Sequence, residues 1–225
     1  CPSDAEINPL LLLRTYVKRA RERGAEICRE TAVENILVEN GRVRGVATNR
    51  GEIRAPIVIN AAGAFAAEIG RMAGVEIPMY ITRGQVLVTE ELPPIMNYIH
   101  SGLRQSKSGN LIIGMTTEKV GFDKMNTFEG IKHISHRVLG KMPILKQVQI
   151  IRSYAGLRPV PNDGHPIIDT VKGVEGFYLA VMHSGITLSA LVGRLLSEWI
   201  TKKQKPETLD PYRLSRFGEG KTSGG

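Results

Sequence analysis

Val58-Ile59-Asn60-Ala61-Ala62-Gly63-Ala64 is the stretch on which the reading of this chain turns. An apolar run that ends in small residues predicts a buried strand, a tight turn and a helix, the helical pattern continuing to about residue 73. Small residues at such a strand end have two uses. They let backbone N–H groups face a phosphate or a ring, or they only allow helix and strand to pack closely. The residues by themselves leave both open.

Upstream of this turn, Leu10, Leu13, Val17 and Ala20 recur at helical spacing and predict a helix over 7–23, packed on one face and stopped by Gly24. Runs 32–38 and 43–48 alternate like strands around Glu39-Asn40-Gly41-Arg42, where Asn-Gly signals a tight hairpin. A further strand-like run, 52–60, carries Pro56. Downstream come strand-like 80–89, a break at Pro93-Pro94, strand-like 110–116, a helix over 128–141 ended by Pro143, an extended stretch over 147–160 and a turn at Asn162-Asp163-Gly164. Strand-like 176–181 then leads into a helix over 186–201 with Leu188, Leu191, Val192, Leu195, Leu196 and Trp199 on its apolar arc. This order predicts an α/β (α+β) fold.

Composition narrows the class. The 225 residues are 42% hydrophobic and 23% charged, which excludes disordered, collagen-like and coiled-coil chains. The longest apolar runs, 10–13 and the interrupted 57–67, fall short of the ~18–20 residues that cross a bilayer. Lys plus Arg number 30 against 22 Asp plus Glu, a net charge of +8 that raises an anionic partner. The charge is scattered, and clusters at 18–23 and 202–205 lack interleaved aromatics, so solvated helix faces are favoured over a nucleic-acid interface. Cys1 and Cys28 form no CxxC, and His100, His133, His136, His165 and His183 fall into no ligand spacing. Neither a disulfide scaffold nor a metal site is expected, and a reducing compartment is the default. The chain opens on Cys1 without an initiator Met or basic leader, a start that reads as a cut or mature end.

Two more constellations bear on chemistry. In Tyr154-Ala155-Gly156-Leu157-Arg158-Pro159, followed by Asp163-Gly164-His165-Pro166, an Arg stiffened by Gly and Pro could grip a carboxylate bidentately or pair with an internal acid. In Ala180-Val181-Met182-His183-Ser184-Gly185-Ile186-Thr187 a buried strand meets a helix start, whose N–H groups and dipole can stabilise an anion. Here the alternatives are an ordinary N-cap for Ser184 and a satisfied structural imidazole for His183.

In this order the constellations resemble the carboxyl-terminal part of the FAD-dependent amine and amino-acid oxidoreductases, the family of glycine oxidase, sarcosine oxidase and D-amino-acid oxidase. The resemblance runs over almost all of 1–217, from Cys1-Pro2-Ser3-Asp4 and Ile7-Asn8-Pro9-Leu10 through Gly24-Ala25-Glu26-Ile27, Val33, Gly45-Val46-Ala47-Thr48 and Arg83-Gly84-Gln85 to Arg216-Phe217. Its most specific part is Ala155-Gly156-Leu157-Arg158-Pro159 with Asp163-Gly164-His165-Pro166-Ile167-Ile168. It implies a flavin-binding half interleaved with a mixed β-sheet substrate half: 1–75 and 156–217 belonging to the first, 76–155 to the second and 218–225 a flexible tail. It further implies that Val33 lies beside the adenine-nucleotide part of FAD, that Ala61, Ala62 and Gly63 line the cofactor, and that Gly164, Met182, His183, Ser184, Gly185, Ile186 and Thr187 approach the flavin ring. Arg158 is then expected to bind the substrate carboxylate, with Arg104 and His183 beside the substrate. The implied activity is oxidation of a C–N bond in an amino acid or secondary amine, with no strong base required. The electron acceptor would be O₂ or a respiratory or partner subunit, in a homo- or hetero-oligomer, and the location bacterial cytoplasm or the inner-membrane surface.

The departures sharpen these expectations. The Gly-x-Gly-x-x-Gly turn with which the family opens is absent, so 1–225 reads as the rear portion of a longer chain. The Cys that links flavin covalently in some members is absent near Asp163, which implies non-covalent FAD. Thr187 stands where some sarcosine oxidases carry Lys, and no second Arg lies around His183. Matched carboxylate binding therefore rests on Arg158 alone, which tells against glycine and sarcosine as substrates. The rival expectations are a folded domain that binds no flavin in this form and, more weakly, a basic nucleic-acid-binding domain.

Overall fold

A computed structural model describes residues 7–96 and 102–218 of the chain. His100, the Cys1-Pro2-Ser3-Asp4 stretch and all of the expected tail but Gly218 lie outside the described residues. The chain divides into two compact units, one formed by 1–79 with 161–225 and the other by 80–160.

The first unit opens with helix α1 (Pro9–Glu22), started by Asn8, whose Oδ1 accepts hydrogen bonds from the N–H groups of Leu10 and Leu11. The periodicity was right about the helix and wrong about its packing, for no residue of α1 is buried, and Leu10 and Leu11 are well exposed. An apolar arc says only that a helix has a face to cover; among the described residues that cover is partial, leaving Val17 and Ala20 half-buried and Leu10 and Leu13 exposed. Strands β1 (Val33–Glu39) and β2 (Arg42–Thr48) form the expected hairpin. Asn40 and Gly41 both have positive φ, 50° and 73°, the backbone that a two-residue turn between twisted strands demands. The single run expected over 52–60 is two strands, β3 (Gly51–Arg54) and β4 (Val58–Asn60), because Pro56 has no N–H to donate to a ladder. A 3₁₀ turn, Gly63–Phe65, and helix α2 (Ala66–Met72) follow.

The second unit holds strands β5 (Met79–Glu91), β6 (Leu103–Gln105), β7 (Asn110–Gly114) and β8 (Ile150–Pro161), in the order β6-β7-β5-β8, with helix α3 (Phe128–Lys141) between β7 and β8 in sequence. Pro159 does not break β8, because β8 is an edge strand of this sheet. One face of the sheet, carrying Leu87, Leu103, Leu111 and Ile113, packs on Ile134 and Val138 of α3. Three-residue β6 is too short to show alternation and was not foreseen.

The chain re-enters the first unit through the antiparallel pair β9 (Ile167–Val171) and β10 (Val174–Val181), then helix α4 (Gly185–Lys202) and 3₁₀ turns at Glu207–Tyr212 and Leu214–Phe217. β10 lies parallel to β4, Phe177 opposite Val58 and Leu179 opposite Asn60, so the sheet order is β1-β2-β10-β4, with β3 on β2 and β9 on β10. Both faces are covered. Phe177, Leu179, Val181 and Ile167 join a core with Ala66, Val75 and Ile77, while Ile168, Met182 and the alternate residues Tyr178 and Ala180 pack on Val192, Leu195, Leu196 and Trp199. Period-two alternation sends adjacent residues to opposite faces, which is why a doubly covered strand reads as a continuous apolar run.

Candidate functional site

The candidate residues of the second unit lie on the face of its sheet turned away from α3. Alternation turns Leu103, Leu111 and Ile113 toward α3, so their neighbours Arg104, Ile112 and Gly114 turn the other way, and Tyr154, Gly156 and Arg158 share a face of β8 at spacing two. Arg158 is half-buried. Its Nη1 donates to the Thr116 carbonyl at 3.2 Å and its Nη2 lies 2.9 Å from Met115 Sδ. Among the described residues no carboxylate pairs with it, so the internal-acid alternative is not what the fold builds. Burial pushes the guanidinium below its ordinary value, and no carboxylate offsets that shift. The guanidinium lies against the backbone of Gly84: a Cβ at 84 would fall 1.9 Å from Nη2 and 2.1 Å from Nη1. A guanidinium in this setting has the chemistry to grip an anion bidentately.

A buried network fixes the strand segment on which Arg158 rests. Arg83, 3% exposed, donates to Glu118 Oε2 at 2.5 Å and to Asp123 Oδ2 at 2.5 Å. Glu118 also accepts from Gln85 Nε2 at 2.8 Å and from Thr116 Oγ1. Burial pushes the Glu118 carboxyl up, but the hydrogen bonds from Arg83, Thr116 and Gln85 outweigh it and hold it at about 2. Glu118 thereby ties down the hydroxyl of Thr116, the residue whose backbone carbonyl accepts from Arg158. In the sequence Gly84 stands only within Arg83-Gly84-Gln85 of the resemblance, with no role attached, and Glu118 carries no signal, although a Gly inside a strand pattern is a sign of close approach.

In the first unit, Asn60 is 2% exposed and knits the small-residue turn together. Its Oδ1 accepts from the Ala62 N–H at 3.3 Å and its Nδ2 donates to the Ala66 carbonyl at 2.8 Å. That leaves Ala61 and Ala62 exposed at the end of β4, with Gly63 beside them at φ 57°. At the carboxyl end of the parallel neighbour β10, Met182 is buried and His183, Ser184, Gly185, Ile186 and Thr187 are all exposed. Ser184 occupies the cap position without a side-chain capping bond, and its hydroxyl lies 3.4 Å from His183 Nδ1. The start of an 18-residue helix thus turns its N–H groups and positive dipole end outward. The Gly164 turn is braced by Arg216, which grips Asp163 bidentately at 2.7 and 3.0 Å; that hydrogen bonding holds the Asp163 carboxyl down at about 2 against its partial burial. Val33 is half-buried at the start of β1.

An outward helix start, an exposed small-residue strand end and an Arg that meets no carboxylate among the described residues are consistent with the resemblance, and comparison with known proteins decides the family. A family model described as "FAD dependent oxidoreductase" (DAO) matches residues 1–199. The chain belongs to the DAO family of FAD-dependent oxidoreductases. It is 36% identical over 222 residues to the hydrogen cyanide synthase subunit HcnC of Pseudomonas aeruginosa, covering 95% of this chain and 53% of that protein. With the glycine oxidase of the same organism it shares 31% identity over 91% of the chain and 58% of the relative. Among solved structures, L-proline dehydrogenase from P. horikoshii superposes with a TM-score of 0.91 at 28% identity, covering 99% of this chain and 63% of that one. Glycine oxidase from Geobacillus kaustophilus gives 0.83 at 26% identity, over 91% and 57%. The chain therefore spans about half the length of the DAO-family relatives it matches.

Proposed function

We propose that this DAO-family chain supplies the flavin-ring contacts and the substrate-binding sheet of an enzyme that oxidises the C–N bond of an amino acid or secondary amine. The observation that carries the reading is Arg158, a half-buried cation that meets no carboxylate among the described residues and is held against Gly84. A carboxylate accepts a bidentate grip from a guanidinium, which orients the amine-bearing carbon of the substrate. Arg104 lies on the same face and lines the substrate hollow beside Tyr154.

The first unit fits the flavin in two respects. The outward N–H groups of α4, from Ser184 through Thr187, suit the negative charge at the N1–C2 carbonyl edge of a reduced ring, and exposed Ala61 and Ala62 leave room for a flat ligand at the end of β4. Met182 and His183 lie at the same helix start, Gly164 lies in the turn between β8 and β9, and Val33 is assigned to the adenine-nucleotide end. When bound, the flavin supplies the two-electron acceptor for the substrate hydride. With no Cys near Asp163 to link it, FAD would be held non-covalently, and the electron acceptor would be O₂ or a respiratory or partner subunit in a homo- or hetero-oligomer. Among the described residues no helix is long and apolar enough to cross a membrane, and the cytoplasm or the inner-membrane surface is the proposed location.

In the full-length protein, Arg158→Ala is expected to raise KM for the amino-acid substrate by about 10–100-fold, the loss of a charge-assisted hydrogen-bonded grip, with the flavin absorption band unchanged. An unaltered KM would refute the assignment. The rival reading, a folded domain that carries no flavin, is decided by the same spectrum of the unsubstituted protein.

A further inference from the structure

Beside Arg158 the open sheet face sinks into a hollow of about 220 Å³ whose walls include Val86, Ile112, Gly114, Met115, Tyr154 and Arg104. Met115 joins the two features, since its Sδ touches Arg158 Nη2 while its side chain lines the hollow. Apart from Arg104 the lining is aliphatic, aromatic or glycine, a composition that favours an apolar side chain. Its size is equally telling. A cavity of ~150 Å³ accommodates benzene, so the hollow holds a branched aliphatic or phenyl side chain and is far larger than the hydrogen of glycine or sarcosine requires. The floor is open because residue 114 has no side chain: a Cβ there would stop 3.9 Å from Val86 Cγ2, ordinary contact that fills space without a clash.

From this geometry we infer that the substrate is an amino acid with a bulky apolar side chain, its carboxylate on Arg158 and its side chain in the hollow over Val86, Ile112 and Gly114. The inference rests on the oxidoreductase reading above and adds the substrate class to it. The hollow then sets specificity: a methylene more or less in an apolar pocket discriminates by roughly 10–200-fold.

Two measurements on the full-length flavoprotein test it. The first uses unreactive carboxylates that perturb the flavin spectrum: 4-methylpentanoate and phenylacetate are expected to bind at least tenfold tighter than acetate. Val86→Phe and Gly114→Ala, which fill the hollow, should shrink that ratio, whereas Arg158→Ala should weaken all three together. The second compares anaerobic bleaching by leucine, phenylalanine, glycine and sarcosine, with the large substrates expected to reduce the flavin at least tenfold more efficiently. Equal binding of acetate and phenylacetate, or glycine and sarcosine reacting as well as leucine, would overturn the inference while the oxidoreductase reading stood. Flavin that binds the carboxylates but is bleached by no amine would instead overturn the oxidoreductase reading and the substrate class with it.

Discussion

Gly84 and Arg158 lie 74 positions apart in sequence and are one device: the first has no side chain so that the second has somewhere to rest. A methyl at 84 would meet the end of a flexible side chain and not backbone, so Gly84→Ala is expected to leave the melting temperature within a few degrees of the parent while displacing the guanidinium. Substrate KM should then rise at least tenfold, approaching that of Arg158→Ala; a variant with parental KM would show that Arg158 does not need this seat. Glu118 behaves differently. Glu118→Ala removes one of the two acids that neutralise Arg83, itself 3% exposed, and the expected cost is about 3 kcal/mol, read from denaturant unfolding. Of these residues Arg158 was legible in sequence, because Gly156 and Pro159 mark a stiffened strand around it. Glu118 was not, because an acid in a polar loop reads as solvated until the fold buries its partner.

At the scale of elements, local chemistry sufficed wherever the signal was strong and short-ranged. The Asn40-Gly41 hairpin, the helix over 128–141 capped by Thr127, and the strand-to-helix passage at 181–185 all appear where the periodicity and turn residues put them. The failures were elements whose definition is non-local. β6 exists only through its pairing with β7, and β9 only through its pairing with β10. The β4–β10 seam offers a sharp test. Gly176 has φ 85°, and a Cβ there would come within 2.3 Å of the Pro56 carbonyl oxygen, a backbone atom that cannot swing away. Gly176→Ala is therefore expected to cost at least about 2 kcal/mol, with a fall in melting temperature and loss of the protected amides of β10 in hydrogen exchange. Parental exchange rates would show that the seam tolerates the shift.

For the molecule as a whole, charge and topology matter more than any one contact. Asp163 and Glu118 are both held at about 2, below the ordinary 3.8 and 4.5. Each takes up its proton at lower pH in the folded chain than in the unfolded one, so the stability it contributes is complete above roughly pH 5 and is lost as pH falls toward 2. Acid unfolding followed by circular dichroism should accordingly fall below pH 4, and Arg216→Ala, which releases Asp163 toward its ordinary value, should move the midpoint upward. A midpoint that stays put would mean that Asp163 and Arg216 do not hold each other in solution. The sequence by itself determined the local half of this protein: the helices, the tight turns, the apolar strands, and through motif order the family to which the chain belongs. Those signals need only neighbours within a few residues. Only the tertiary structure decided that β10 joins β4 from across the whole of residues 80–160, that α1 covers its apolar arc only in part, and that Arg158 meets Gly84 and Met115 instead of an acid. Those outcomes depend on which distant surfaces meet, and a side chain's charge and periodicity state what it needs without naming the partner that will satisfy it.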